Sequence, residues 1–294
     1  MNRGRPLLQD PPASLLARHR LERLAPVAWV RRWKRPRQAD VYLLSYPKTG
    51  RTWLRVMIDH LLAQHHGRPE FAGHDLGERS PCLAGVPRIA AKHDGNPQKK
   101  TASEIDPDRG EFAGCRVILL VRDLRDTAVS NYFQVTRREA SFEGELTAYL
   151  RWPRGSVDSM LRYYNVWAAQ RRVPRAFLLL RYEDLHRDTA GELGRVAEFL
   201  ELRDVESATL HAAVRHGGFG SMRSREAGRP ADGTPLAAGQ AGDPESFKTR
   251  KGRVGGFVEY LSTDDIAWLN GRIVAELDPY FGYGAATWPG PVGG

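Results

Sequence analysis

The chain has 294 residues, 41% of them hydrophobic, which is enough for a sizeable core and too many for a disordered polymer. Lys and Arg outnumber Asp and Glu 44 to 35, a formal charge of +9, and only 7 of the 44 are Lys. Two Cys, Cys82 and Cys115, exclude a disulfide scaffold and a four-Cys zinc site, and no run of about 18 apolar residues points to a transmembrane helix. Arg-rich surfaces suit phosphate, sulfate or carboxylate through bidentate guanidinium contacts. They equally suit nucleic acid or an anionic membrane, so charge alone does not choose. The first residues lack the apolar core of a signal peptide, and a cytoplasmic location is the expectation.

Residues 1–13 are polar and contain Pro. Residues 14–37 mix Leu, Val and Trp with many Arg and one acid, Glu22, and Pro26 divides them into two short helical segments. This basic N-terminal extension over 1–37 suits a helical arm packed on its own domain or peripheral contact with an anionic membrane. VYLLS at 41–45 reads as a buried strand. Leu54, Met57, Ile58, Leu61 and Leu62 recur at helical spacing within 52–66. Residues 67–87 are rich in Gly and Pro. IAAK at 89–92 reads as a short strand, CRVILLV at 115–121 as a strong one and DTAVSNYFQ at 126–134 as a helix. A helix over 157–172, the strand AFLLLRY at 176–182 and a helix over 189–200 follow. Strands alternating with helices predict an α/β fold of three layers, a central mainly parallel sheet flanked by helices. Residues 224–249 are dominated by Gly, Pro, Ala and Ser without a period, which predicts a disordered stretch or a lid that orders on ligand binding. Ser262 or Thr263 caps a helix within 262–281, with Asp264 and Asp265 at its positive end. The main domain is expected over 38–285, with 286–294 a tail.

Between the first strand and the first helix stands Tyr46-Pro47-Lys48-Thr49-Gly50-Arg51-Thr52-Trp53. A strand–loop–helix unit aims backbone N–H groups and a helix N-terminus at one point, an anion site. Lys48 adds a cation, Gly50 lets the backbone approach, and Thr49 and Thr52 add hydroxyl donors. The nucleotide-hydrolase loop has its Lys after the second Gly, followed by a magnesium-holding hydroxyl. Here Lys48 precedes the loop's one Gly, so the loop suits an anion that needs no divalent metal.

YPKTGRTW closely resembles the 5′-phosphosulfate loop of the sulfotransferases that use 3′-phosphoadenosine 5′-phosphosulfate (PAPS), with a P-loop-like fold. Arg51 departs from the Thr or Asn usual there. VILLVRDLRDTAVSNY at 117–132 is similar to the family's second block, with Arg122 and Ser130 eight apart as in the family and Leu124 in place of Pro. The resemblance implies that Arg122 and Ser130 hold the donor's 3′-phosphate; a surface ion pair of Arg122 with Asp123 or Asp126 is the plainer alternative. LLLRYEDLHRDTAGELGRVAEFLEL at 178–202 looks like a third block, which makes Tyr182 a candidate adenine contact or a ring that holds the strand end. Arg250-Lys251-Gly252-Arg253-Val254-Gly255-Gly256-Phe257 resembles the C-terminal phosphate clamp, with Gly256 replacing an acid. By the same resemblance Phe219 faces the adenine opposite Trp53. The likeness covers 40–282. The family's C-terminal dimer motif is not recognisable, so no oligomeric state carries over.

The resemblance implies transfer of a sulfuryl group from PAPS to an acceptor hydroxyl or amine, releasing adenosine 3′,5′-bisphosphate (PAP), without a metal. Lys48 is placed at the bridging oxygen, where charge develops. The stretch Ile89-Ala90-Ala91-Lys92-His93-Asp94-Gly95 matches the place of the family's base. His93 is the candidate, because imidazole titrates near neutrality, and Asp94 is its rival. Their side chains should point apart. For His60, His65, His66, His74, His186, His211 and His216 a surface or helix-end role is expected. The expected acceptor is a small molecule, a glycan or a glycolipid, with phenols and hydroxysteroids also compatible. Three other readings compete: a basic nucleic-acid-binding protein, an unusual P-loop kinase, and a sulfonucleotide-binding module without turnover. The dispersed Arg and the lack of a nucleic-acid motif argue against the first, and the position of Lys48 against the second.

Overall fold

The computed structural model describes residues 39–68, 87–228, 246–247 and 249–284. The expectations for the 1–37 extension and the 286–294 tail, and those for most of 67–87 and of the 224–249 lid, lie outside the described residues.

Strands β1 (Val41–Ser45), β2 (Ile89–Lys92), β3 (Arg116–Val121) and β4 (Ala176–Arg181) form a sheet in the order β2-β1-β3-β4. All of its pairings are parallel, with Leu44 opposite Lys92 and Leu119, and Leu120 opposite Leu180. The helices are α1 (Arg51–His65), α2 (Leu124–Phe133), α3 (Leu146–Leu150), α4 (Val157–Gln170), α5 (Tyr182–Arg187), α6 (Thr189–Phe199), α7 (Ser207–His216), α8 (Phe219–Ala227) and α9 (Thr263–Glu276). Successive strand side chains point to opposite faces. Tyr42, Leu44, Val117, Leu119 and Val121 therefore share one core with α2, α4 and α9. Val41, Leu43, Ile118 and Leu120 share the other with α1, α6 and α7. Burial on both faces is why these strands read as continuous apolar runs. Each fully buried Leu or Val contributes about 1.5–3 kcal/mol.

Local chemistry sets the helix ends. Of the two candidate caps at 262–263, Ser262 takes the role, its Oγ accepting from Asp265 N at 3.1 Å. Helix α2 begins two residues before the predicted 126, because Asp123 caps it by accepting from Arg125 N at 2.8 Å. Leu124 thus serves at the position where the related pattern has Pro. Gln134–Arg138 continues α2 in π geometry. Only the two ends of the predicted lid fall among the described residues. Residues 224–227 belong to α8, whose buried Glu226 accepts from Thr249 N at 2.9 Å. Among the described residues no helix is long and apolar enough to cross a membrane.

The chain runs from β1 outward to β2 and then returns to the other side of β1 to place β3. That reversal opens a crevice beyond the carboxyl ends of β1 and β3, where open α/β sheets bind ligands.

On the α1–α7 face, His60 stacks on His216 with ring centroids 4.2 Å apart. His216 Nε2 accepts from Arg225 Nη1 at 2.6 Å. Burial, then Arg225, hold both rings below the usual imidazole range, His216 at about 4. The unfolded chain therefore binds more protons than the native one below about pH 6.5. Stability is expected to be level above that pH and to fall progressively towards pH 4. Urea melts of His60→Phe should show a shallower loss than the wild type across this window, and parallel profiles would refute the pair's contribution.

Candidate active site

The loop after β1 is held in an unusual backbone shape. Lys48 has a φ of 71° and Gly50 a φ of 94°, both in the left-handed region. For a residue with a Cβ this costs about 1–3 kcal/mol and persists only where surroundings impose it. At Gly50 a Cβ would lie 2.6 Å from Cδ2 of Tyr182, so this position admits glycine alone. Thr49 is buried, its Oγ1 donating to Tyr46 O at 3.0 Å. Lys48 Nζ donates to Gln134 Oε1 at 3.2 Å, from the π turn that ends α2. Gly50 caps α1, and Arg51, Thr52 and Trp53 form its first turn beside a cavity of about 550 Å³.

The constraint on Lys48 comes from Arg122, the first residue after β3. Its Nη1 donates to Lys48 O at 3.3 Å and its Nη2 to Arg253 O at 2.9 Å. Asp126 lies 3.4 Å away, and the guanidinium sits 4.3 Å over the Tyr182 ring. Burial opposes the charge here, but Tyr182, Asp126 and Glu183 outweigh it and hold the guanidinium pKa above its ordinary value. The predicted ion pair with Asp126 exists, yet it is interior rather than superficial, the Arg122 side chain being 11% exposed. Tyr164 Oη accepts from Arg122 N and donates to Arg122 O, both at 3.0 Å, which locks its backbone. Nε of Arg122 is buried without a hydrogen-bond partner among the described residues. Ser130, two turns along α2, lines the same cavity.

The C-terminal motif closes the far wall. Asp126 accepts from Gly255 N at 2.8 Å and from Phe257 N at 3.1 Å. Arg250 Nη1 donates to Tyr260 Oη at 2.7 Å, and its guanidinium lies 4.6 Å over Phe133. Lys251 and Arg253 both pair with Glu259. Gly252, at φ 61°, lies against Phe219, whose ring is 46% exposed at the cavity. Tyr182 is 5% exposed and wedged between Gly50 and Arg122. It packs edge-on to Trp53 at 5.7 Å, and His186 completes the cluster 4.6 Å from Tyr182. Contrary to the expectation of a plain helix-end role, His186 lines the cavity. Of the adenine candidates, Trp53 and Phe219 offer more open ring surface than Tyr182.

The two candidate bases point apart, as neighbours after a strand should. Asp94 is buried against Arg109, its Oδ2 2.8 Å from Nε, and Arg109 lies 5.3 Å over Trp167. His93 borders the cavity, with Nδ1 3.0 Å from Ser45 O. A carbonyl only accepts, so Nδ1 carries the proton and Nε2 keeps its lone pair. Burial, then the charges of Arg51, Lys48 and Arg55, push this imidazole down to about 3, although the Ser45 bond opposes them. The expectation of a ring titrating near neutrality is therefore corrected.

Sequence reasoning passed over Gln134 and Arg55, and saw in Asp126 only a partner for Arg122 and in His186 only a surface or helix-end residue. Gln134 had no motif signal in its own right. Arg55 had one, since it falls one turn after Arg51 on the same helix.

Residues 38–273 match the family described as the sulfotransferase domain. Cytosolic sulfotransferase 12 of Arabidopsis thaliana is 26% identical over 256 residues, covering 77% of this chain and 73% of its own. Flavonol 3-sulfotransferase of Flaveria bidentis is 21% identical over 256 residues, covering 81% of each. Among solved structures, a mouse sulfotransferase complexed with PAP matches with a TM-score of 0.57 at 18% identity, over 82% of this chain and 84% of that one. Retinol dehydratase in complex with androsterone and PAP matches with a TM-score of 0.56 at 18% identity, over 83% of each. At such identities the likeness is one of fold.

A lowered imidazole value means a neutral ring at every pH above it. In the ligand-free protein the His93 ring resonances should stay in the neutral Nδ1–H form from pH 8 down to about pH 4. A midpoint near 6.5 by NMR would overturn this account of the site.

Proposed function

The chain belongs to the sulfotransferase family and is a sulfotransferase, and from that premise we propose that it moves a sulfuryl group from PAPS to a hydroxyl of a small or glycan acceptor. The observation that carries the reading is the strained Lys48–Gly50 turn, clamped by Arg122 and facing a neutral His93 across one cavity.

The residues fit the donor's charge. The backbone N–H groups at the start of α1, Thr52 and Lys48 suit its 5′ end, while the Thr49 hydroxyl is spent on Tyr46 O and braces the turn. The buried, unpartnered Nε of Arg122, Ser130, Arg250, Lys251 and the Gly252 backbone suit its 3′-phosphate. Trp53 and Phe219, with Tyr182 behind them, suit the adenine. When bound, the donor supplies an activated sulfuryl group whose bond to the bridging oxygen breaks as the acceptor oxygen attacks.

Lys48 acts where the negative charge grows. Its ammonium has three donors, and the bond to Gln134 uses one. His93 Nε2 takes the acceptor's proton. Two features suit it to this: its lone pair is kept available by the Ser45 bond, and its ring stays uncharged between two Arg. Bound anion offsets those Arg charges and raises the imidazole value, which makes His93 a better base once the donor is in place. The acceptor enters on the His93 side. A glycan or glycolipid hydroxyl is favoured over a bare phenol by the Arg-lined wall.

Donor choice is the first test. PAP should bind at least tenfold more tightly than AMP, without added metal; comparable affinities by calorimetry would remove Arg122, Ser130 and Arg250 from the 3′-phosphate.

Lys48 and His93 should separate binding from chemistry. Lys48→Met is expected to lose a hundredfold or more in kcat, on the order of 2.7–4 kcal/mol, while PAP affinity changes far less. His93→Ala should abolish transfer with PAP affinity near normal, whereas Asp94→Asn should act through stability, read as a lower Tm. Normal turnover in either Lys48→Met or His93→Ala takes that residue out of the mechanism.

A further inference from the structure

Helix α1 sets Arg51 and Arg55 one turn apart, and both border the cavity. Both charges act on His93, whereas Tyr182 on the adenine side feels Arg122. Arg51 also feels the buried phenol of Tyr163, a residue of α4. Like charges one turn apart repel, and their burial raises the cost. Arg55 has Asp59 acting on it one further turn along, but among the described residues no carboxylate acts on Arg51. Nη1 of Arg51 is buried without a hydrogen-bond partner among the described residues. Burial, then Arg55, lower its guanidinium to about 10.

A second unsatisfied group lies on the same flank. Gln98, five residues after His93, borders the cavity with its Oε1 buried and without a partner among the described residues. Asn96 N donates to His93 O at 3.0 Å, which ties this segment to the base. A buried guanidinium N–H and a buried amide oxygen are each costly when left unpaired, the charged group the more so. A ligand with one oxyanion and a neighbouring hydroxyl would satisfy both.

We infer that the acceptor is a polyhydroxylated anion: Arg51, supported by Arg55, grips its carboxylate, phosphate or sulfate, and Gln98 accepts from a hydroxyl beside the one presented to His93. This rests on the sulfuryl-transfer reading above and narrows its acceptor. Arg51 and Gln98 are thereby specificity-determining residues, distinct in task from the loop amides and Lys48.

The test measures transfer from radiolabelled PAPS to glucose, glucuronate, glucose 6-phosphate and glucose 6-sulfate, with phenol and 4-hydroxybenzoate as an aromatic pair. At least one anionic acceptor should exceed its neutral counterpart tenfold or more in kcat/KM, and the best of the three sugars identifies the oxyanion. Arg51→Thr and Arg55→Gln should each cut that ratio at least tenfold, whatever they do to the overall rate. Where rates are too low to compare, glucuronate and glucose 6-phosphate are titrated into the PAP-saturated protein. Binding that Arg51→Thr removes supports the inference, and no binding overturns it. Equal rates on charged and neutral acceptors overturn it. So does a ratio untouched by Arg51→Thr together with a tenfold loss of PAP affinity, which assigns the guanidinium to the donor. Failure of the wild type to bind PAP at all refutes the transfer reading itself and the inference with it.

Discussion

The site depends on one side chain that joins three distant stretches of chain. Arg122 leaves the end of β3, reaches the carbonyl of Lys48 on one side and that of Arg253 on the other, and lies on the face of Tyr182. A charge so deeply placed is expensive, and Asp126 together with the aromatic face offsets it. That cost is tied to position: β3 lies beside β1, so the residue following it is within reach of the loop that follows β1. Sheet order thus determines which residue can hold the loop. The left-handed turn at Lys48 is a consequence, since its carbonyl is kept where Arg122 can reach it.

Electrostatics divide the cavity into two unlike halves. Around Arg122 the cations are matched, by Asp126, by Glu183 and by backbone carbonyls. Around His93, burial and then the charges of Arg51, Lys48 and Arg55 keep the imidazole neutral. A general base benefits from this arrangement only once an anion arrives, because the same Arg that suppress its proton affinity are then balanced. Asp94 shows the opposite solution: its carboxylate is consumed by Arg109 inside the protein and is unavailable to the cavity.

Much of the fold was legible because the central strands β1 and β3 are buried on both faces and so appear as unbroken apolar runs. The YPKTGRTW loop was legible because its residues are contiguous, and so were Arg122 and Ser130, which lie eight positions apart across one strand–helix turn. What escaped reading depends on contacts between remote segments. Gln134 meets Lys48 across 86 positions, through a π turn that no local pattern announced. Asp126 reaches Gly255 across 129. The difference between His93 and Asp94 lay in their surroundings rather than their identity, since burial lowers one value and raises the other. The left-handed φ of Lys48 was equally hidden, because nothing in a lysine favours it.

The clamp also carries a consequence for timing. The loop is complete by residue 50, and its restraint by residue 122, but the third member of the knot comes from 253–257. During synthesis the first two parts leave the ribosome well before the last, at roughly 5–20 residues per second. Through that interval Asp126 lacks the two backbone donors that later satisfy it, and Arg122 lacks one of its two carbonyls. The cavity wall is therefore among the last features of the domain to become rigid, although its first loop is among the first to be made. A chain stopped short of this segment would keep the core on the α1, α6 and α7 face but lose Phe257 and α9 from the other, so completion of that core and of the cavity wall are coupled in one stretch.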